Sequence, residues 1–301
     1  MLINLQKPWQ HTKQNSNKLN FIMKKILITG SSGYIGQHLV KLLKKEGYEV
    51  FGLDNQPRMN DYLLPKQFLS YDITNGYQLC YSDEFDTVVH LAALVKVNES
   101  VLKPYEYYDT NINGTHNVLL NVKFKNFVFA STGTAANPIN PYALSKRCAE
   151  DIVERYCIEN SKTFTSFRFY NVIGSDGIAP TNMDGLMYNL MKAKETGSFN
   201  LYGGNYNTPD GTPVRDYVHV NEICHSIKKA IETPANSLQN LGHGKGHTVK
   251  EMVDIFKLVN NCDFAVNYCQ KREGDLEYSV LDNPSTYMES TYTLSQLLEI
   301  K

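Results

Sequence analysis

Short apolar runs recur along the first half of the chain, separated by stretches whose apolar residues fall at helical spacing. Ile26-Leu27-Ile28, Glu49 to Leu53, Gln67 to Tyr71, Phe85 to Leu91 and Lys125 to Ala130 read as strands. The clearest of these runs are continuously apolar rather than alternating, the pattern of strands covered on both faces. Tyr34 to Lys45, most of Glu99 to Asn121, and Tyr142 to about Asn160 read as helices between and after them. Strands alternating with helices predict an α/β fold with a doubly wound parallel sheet, whose ligand lies at the carboxyl ends of the strands. Further on, a helix over Val220 to Ile231 and a strand over Leu238 to Leu241 are expected to return to that sheet. The amphipathic stretch Thr248 to Asn260 and a last helical segment, Leu294 to Ile300, belong to a smaller C-terminal lobe.

The first strand runs into KILITGSSGYIG, Lys25 to Gly36, which reads as strand, tight turn and helix. Gly30 suits the turn, Gly33 lets backbone come close to a pyrophosphate, and Gly36 lets the helix pack tightly on the strand. Phosphates would sit on the free N–H groups at the helix N-terminus. The second strand ends in Asp54, roughly 20 residues beyond the turn, where a carboxylate is expected on ribose hydroxyls. This carboxylate would face a 2′-phosphate, so the spacing predicts NAD rather than NADP. At the end of the third strand, Asp72-Ile73 reads equally as an adenine cap or as the start of a turn. Ala92-Ala93, after the fourth strand, leave room for something to press against its end.

Thr132 ends the fifth strand, and Tyr142-Ala-Leu-Ser-Lys146 opens the next helix. Four residues apart, Tyr142 and Lys146 share one helix face. A tyrosine acting as a base near neutrality must lower its pKa by roughly three units, about 4 kcal/mol. A lysine ammonium at ~6 Å supplies under ~3 kcal/mol at an effective dielectric near 20. The positive ring of an oxidised nicotinamide would supply the remainder. Thr132 would hold the same substrate hydroxyl from the other side.

With 30 basic and 31 acidic residues in 301, the net charge of -1 favours neither nucleic acid nor an anionic membrane as partner. No apolar run approaches the ~20 residues of a membrane span. The six cysteines show no metal-finger or CxxC spacing, which fits a reducing, cytoplasmic setting. His243 and His247 in GHGKGH lack a third ligand nearby, so no metal site is expected. Residues 1–22, polar and without an acidic residue, read as a disordered leader or as translation assigned upstream of Met23.

TGSSGYIG, LDN at Asp54, Asp72-Ile73, HLAA at His90, NINGT at Asn111, Thr132, YALSK and RFYNVIG at Arg168 together resemble the extended short-chain dehydrogenase/reductase superfamily. GGNYNTPDGTPVRDYVHV (Gly203 to Val220) and KREGDL (Lys271 to Leu276) are similar to its UDP-glucose 4-epimerase branch, within the NAD-dependent epimerase/dehydratases. The resemblance covers nearly everything from Met23 to Leu281. It implies a Rossmann sheet, a tightly held NAD, a UDP-sugar substrate and a homodimer. It implies cofactor contacts at Gly30, Gly33, Tyr34, Ile35, Gly36, Asp54, Asn55, Asp72, Ile73, Leu91, Ala92, Ala93, Asn111, Tyr142, Lys146 and Tyr170. Catalysis would fall to Thr132, Tyr142 and Lys146. For the substrate, Arg215 and Arg272 are forks suited to a diphosphate, Asp275 suits ribose hydroxyls, and Tyr202 and Tyr217 offer flat faces to a base. The resemblance adds Thr132, Asn171, Gly185, Leu186 and Ser279 to that site. The implied division is 23–172 with a return segment at about 216–242 for NAD, and 173–215 with 243–301 for the nucleotide sugar.

Departures bear on the sugar more than on the chemistry. About ten residues separate Thr132 from Tyr142, predicting a short loop over the sugar pocket. Gly185 stands where these epimerases place an asparagine, and a small lobe ending soon after Leu294 to Ile300 is expected to be trimmed. Ser279 falls at a pocket position whose bulk limits the group at C2, so an N-acetyl group is expected to fit; a uronate or a pentose stays open. A 4,6-dehydratase is the first alternative, but Gly133-Thr134-Ala135 replaces the acidic pair that water elimination needs. A non-catalytic NAD-binding protein is the second, and it would have no need of Thr132, Tyr142 and Lys146 together.

Overall fold

The computed structural model describes residues 23–57, 62–63, 65–76, 84–272, 275–289 and 292–300. The expected leader at 1–22 and Cys80 lie outside them. The chain opens with β1 (Lys25–Thr29), α1 (Tyr34–Lys45), β2 (Glu49–Asp54), β3 (Phe68–Ser70) and β4 (Glu84–His90). Next come α2 (Val97–Leu102), α3 (Pro104–Tyr108), a π-helical turn over Asp109–Asn113, α4 (Gly114–Asn121), β5 (Lys123–Thr132) and α5 (Pro141–Glu159). Then follow β6 (Thr163–Phe169), β7 (Asn171–Ile173), α6 (Leu186–Thr196), β8 (Ser198–Tyr202), β9 (Val214–His219), α7 (Val220–Glu232) and β10 (Ser237–Leu241). The chain closes with β11 (Gly246–Thr248), α8 (Val249–Val259), β12 (Ala265–Cys269), β13 (Tyr278–Ser279) and α9 (Leu294–Leu298).

Seven strands form one parallel sheet in the order β10-β6-β5-β4-β1-β2-β3. The order reverses between β1 and β4, which opens a crevice at their carboxyl ends. Both faces are covered. Ile26 and Ile28 join the apolar cluster beneath α1 and α7, while Leu27 joins the cluster beneath α4 and α5. This is why β1 reads as a continuous apolar run. Pro104, which lacks an N–H, starts α3 and separates it from α2, while α3 continues through the π-helical turn into α4 with helical backbone at each junction.

The remaining elements gather around β9, which pairs in parallel with β7 and β13 and antiparallel with β11. β8 and β12 make a parallel ribbon. Met187, Leu190, Phe199, Tyr217, Met252 and Phe256 are part of the core beneath them. β9 runs directly into α7, which packs back on the large sheet beside α1, so the two bodies share a strand–helix junction. A second tie joins them: the Tyr34 hydroxyl donates to Gly174 O, and the His38 ring bonds both Tyr34 O and Ser175 O at 2.9 Å.

Among the described glycines the least room is at Gly36, where an added Cβ would lie 2.1 Å from Gly30 O. Gly36→Ala should therefore destabilise the chain by about 1–3 kcal/mol in urea unfolding, since overpacked backbone has no side chain to yield.

Candidate active site

β1 delivers the chain into a turn whose first residue, Gly30, has φ 73°, and a Cβ there would meet Ala92 N at 2.7 Å. The turn is held from below: Gly30 N donates to Leu53 O at 2.8 Å and Ser32 N to Asp54 Oδ2 at 2.9 Å. Gly33 caps α1 without a side chain, leaving first-turn N–H groups open to the crevice. Asp54 is buried at the end of β2, and its other oxygen accepts from Gln56 N at 2.9 Å. This carboxylate thus sets the shape of the turn, beyond any contact with ribose.

A cavity of about 510 Å³ runs from this turn to the smaller lobe. Gly30, Gly33, Tyr34, Ile35, Gly36, Leu91, Ala93 and Tyr170 line it at the turn and strand ends, and Thr132, Tyr142 and Lys146 beside them. Asn171, Gly185, Leu186, Arg215, Asp275 and Ser279 line the lobe side.

Several expected contacts are placed otherwise. Ala92 is behind the wall, its N–H donated to Thr29 Oγ1 at 3.3 Å. Asn111 is fully buried and clamps Leu94 through two backbone hydrogen bonds of 2.8 and 2.9 Å, with a third to Ser145 Oγ, so it shapes the wall without reaching the cavity. Asp72 takes the turn reading: Oδ1 accepts from Thr74 N and Oγ1, and Oδ2 from the exposed Asn55 at 3.3 Å. Ile73 is a core residue.

At the lobe, Tyr217 is 3 % exposed within the apolar core, which overturns its expected stacking on a base. Tyr202 carries the Arg272 guanidinium over its ring at 4.0 Å, and neither lines the cavity. Arg215 spends its terminal nitrogens on its own chain, at Asp275 Oδ1 (2.6 Å), Leu276 O (2.6 Å), Val214 O (2.8 Å) and Glu277 O (3.3 Å). The fork expected for a diphosphate is closed on the segment that carries Asp275.

Tyr142 opens α5, whose start is set by Asn140 accepting from Ala143 N at 2.9 Å and by Pro141 in the first turn. Burial pushes its pKa up to about 12, and a hydrogen bond with Thr132 works against that rise. Burial also pushes Lys146 down, to about 7, with Glu150 opposing, which widens the shortfall that the sequence already assigns to lysine alone. Lys146 is 3 % exposed, its ammonium lies 4.3 Å from the centre of the Phe129 ring, and Nζ has no hydrogen-bond partner among the described residues. A buried donor left open on a cavity fits a ribose hydroxyl.

Beneath Lys146 lies His90, whose tautomer follows from its neighbours. Thr115 Oγ1 donates to Asn111 O at 2.7 Å, so it accepts from His90 Nε2 at 3.0 Å; His90 Nδ1 then accepts from Thr29 Oγ1 at 2.7 Å. Burial, with Lys146 nearby, pushes His90 down to about 3, so the ring is neutral.

Sequence reasoning missed Asn140 and Asn182, both on the cavity wall. Asn140-Pro141 was legible as a helix start. Asn182 had no such signal: its amide sits 3.9 Å from where a Cβ on Gly185 would be, and its Oδ1 accepts from Asp184 N at 3.1 Å. An amide therefore stands near the position that Gly185 leaves bare.

A parallel sheet of this order, a glycine turn at its crevice and a Tyr-x-x-x-Lys helix facing that turn define a dinucleotide-binding protein of the short-chain dehydrogenase/reductase type. The chain belongs to the NAD dependent epimerase/dehydratase family, whose profile matches residues 26–242. It is 32% identical to a UDP-glucose 4-epimerase of Haemophilus influenzae over 83% of this chain and 87% of that protein. It is likewise 32% identical to a probable UDP-arabinose 4-epimerase of Arabidopsis thaliana, over 83% of this chain and 72% of the relative. Among solved structures, the Thermotoga maritima UDP-glucose 4-epimerase with UDP-glucose superposes with a TM-score of 0.79 at 28% identity, covering 91% of this chain and 96% of that one. The Bifidobacterium longum enzyme in complex with NAD+ and UDP gives 0.79 at 26%, with the same coverage.

His90 makes stability pH-dependent. Below pH ~6.5 the unfolded chain takes a proton that the folded chain refuses until about pH 3, so stability falls as pH drops through that window. The slope from this residue approaches about 1.4 kcal/mol per pH unit. Urea unfolding between pH 7 and 4.5 should show a shallower fall for His90→Gln than for the wild type.

Proposed function

We propose that the chain is an NAD-dependent 4-epimerase of UDP-sugars. The observation that carries this reading is the convergence of Thr132, Tyr142 and Lys146 on the cavity lined by the glycine turn, with the Lys146 ammonium left open to a ligand. NAD supplies a hydride acceptor for C4 and a positive ring beside the phenol. Tyr142 takes the proton of the 4-hydroxyl and later returns it to the same oxygen. Thr132 holds that oxygen in line, and Lys146 holds the cofactor ribose. Turning of the 4-keto sugar between the two proton transfers would present its other face to the returning hydride, and C4 would be inverted.

Among the described residues Asp275 is the only carboxylate lining the cavity, and it is paired with Arg215 at 2.6 Å. A 4,6-dehydratase needs a free acid and base near C5 and C6, so epimerisation is the better fit. The domain assignment follows the same reading, with 23–172 and 216–242 holding NAD and 173–215 and 243–301 holding the nucleotide sugar. Exposed Leu102 and Tyr105 on α2 and α3, and Leu144 and Ile158 on the adjoining α5, support a homodimer through these helices. No helix among the described residues is long and apolar enough to cross a membrane.

Incubation with a panel of UDP- and dTDP-sugars, read by NMR, should yield C4 epimers, and release of a 4-keto-6-deoxy sugar would overturn the reading. Tyr142→Phe should lower kcat by about 10²–10⁴-fold while NAD remains bound. Ser279 leaves space at the lobe side of the cavity, so UDP-N-acetylglucosamine should be epimerised alongside UDP-glucose, and Ser279→Tyr should remove the first activity while sparing the second.

A further inference from the structure

Behind the reacting groups lies a buried ion pair that the proposed chemistry does not touch. Glu150, 5 % exposed, follows Lys146 by one turn and Tyr142 by two on α5, so all three share a face. Its Oε1 accepts from Ser131 Oγ at 2.5 Å and from Arg168 Nε at 2.9 Å, and its Oε2 from Arg168 Nη2 at 2.6 Å. Side chains from β5, α5 and β6 thus meet at one carboxylate. Ser131 immediately precedes Thr132, and Arg168 stands two residues before the cavity residue Tyr170.

As a stabilising device such a pair is a poor choice, because well-packed apolar residues of similar volume often do as well or better. Its surroundings suggest another role. The Lys146 ammonium lies over the Phe129 ring of β5, the groups it interacts with electrostatically are Glu150 on its own helix and neutral His90 on β4, and the Arg168 guanidinium of β6 is bonded to Glu150. Glu150 is the one anion in this set.

We propose that Glu150 is a positioning residue: held by Ser131 and Arg168, its carboxylate fixes the strand end bearing Thr132 against the helix bearing Tyr142, and supplies the negative charge that keeps Lys146 an ammonium ion. Burial works against that charge, and Glu150 is the group that opposes the loss. The idea rests on the 4-epimerase reading for what the ammonium is used for, while its first readout is a property of the chain alone.

That readout is the proton affinity of Lys146, followed by trace acetylation with acetic anhydride across pH and peptide mass spectrometry. In Glu150→Gln the labelling midpoint should fall by about one pH unit relative to the wild type, and Glu150→Asp, which keeps the charge, should restore it. With UDP-glucose, the alkaline limb of kcat should move down by a similar amount in Glu150→Gln, beyond any uniform loss of rate. If Glu150→Gln does not fold, Arg168→Gln serves instead: the carboxylate loses its counter-cation and the midpoint should rise. Coincident midpoints in every folded variant would overturn the proposal. A shifted midpoint with no turnover of any nucleotide sugar would uphold the electrostatic role and overturn the 4-epimerase reading instead.

Discussion

Two groups that water would keep comfortable, a half-buried phenol and a buried ammonium, stand one helical turn apart on α5 at the carboxyl end of a parallel sheet. Desolvation raises the proton affinity of the first and lowers that of the second, so it works against the phenolate–ammonium pair in both partners. A low-dielectric site also magnifies every fixed charge brought near it. The cleft is therefore poised to respond to a cation arriving beside Tyr142 more strongly than an exposed tyrosine could. Much of the architecture follows from holding this arrangement: β5 supplies Thr132, α5 supplies both titrating groups, and the Asn140 cap fixes where the helix begins.

The walls around that pair are made by backbone more than by side chains. Gly30 and Gly36 let the turn lie against the start of the Leu91–Ala93 segment and against itself at distances no Cβ permits. His90, Thr29, Thr115 and Asn111 then form a hydrogen-bonded chain of fixed direction behind the wall. Asn111 illustrates how such residues differ from contact residues: every bond it makes is to protein, and its effect on a ligand passes through Leu94.

The large sheet was legible because its signals are local. Continuous apolar runs report coverage on both faces, and glycine spacing reports the turn, so β1, β2, β4 and β5 were readable to within a few residues. The stretch after Glu99 is mostly helical, as its pattern reads, and its one break falls before Pro104, where the missing N–H ends α2. Residues of the smaller lobe were harder, because their roles depend on partners distant in sequence. Tyr217 reads as an exposed aromatic until β7, β11 and β13 close around β9. Arg215 reads as a free fork until residues 275–277 take up its donors. Asn182 carries no local signal and becomes visible only beside the space that Gly185 leaves.

The tie between α1 and the strand that leads into the smaller lobe has a further consequence. Tyr34 and His38 stand in the first turns of the helix whose open N–H groups face the crevice, yet they bond Gly174 and Ser175, where the chain departs from the large sheet. Separating the two bodies would pull on the very helix end that grips a pyrophosphate. Any displacement of the segment leading into the smaller lobe is therefore transmitted through these two side chains to the helix end that faces the crevice.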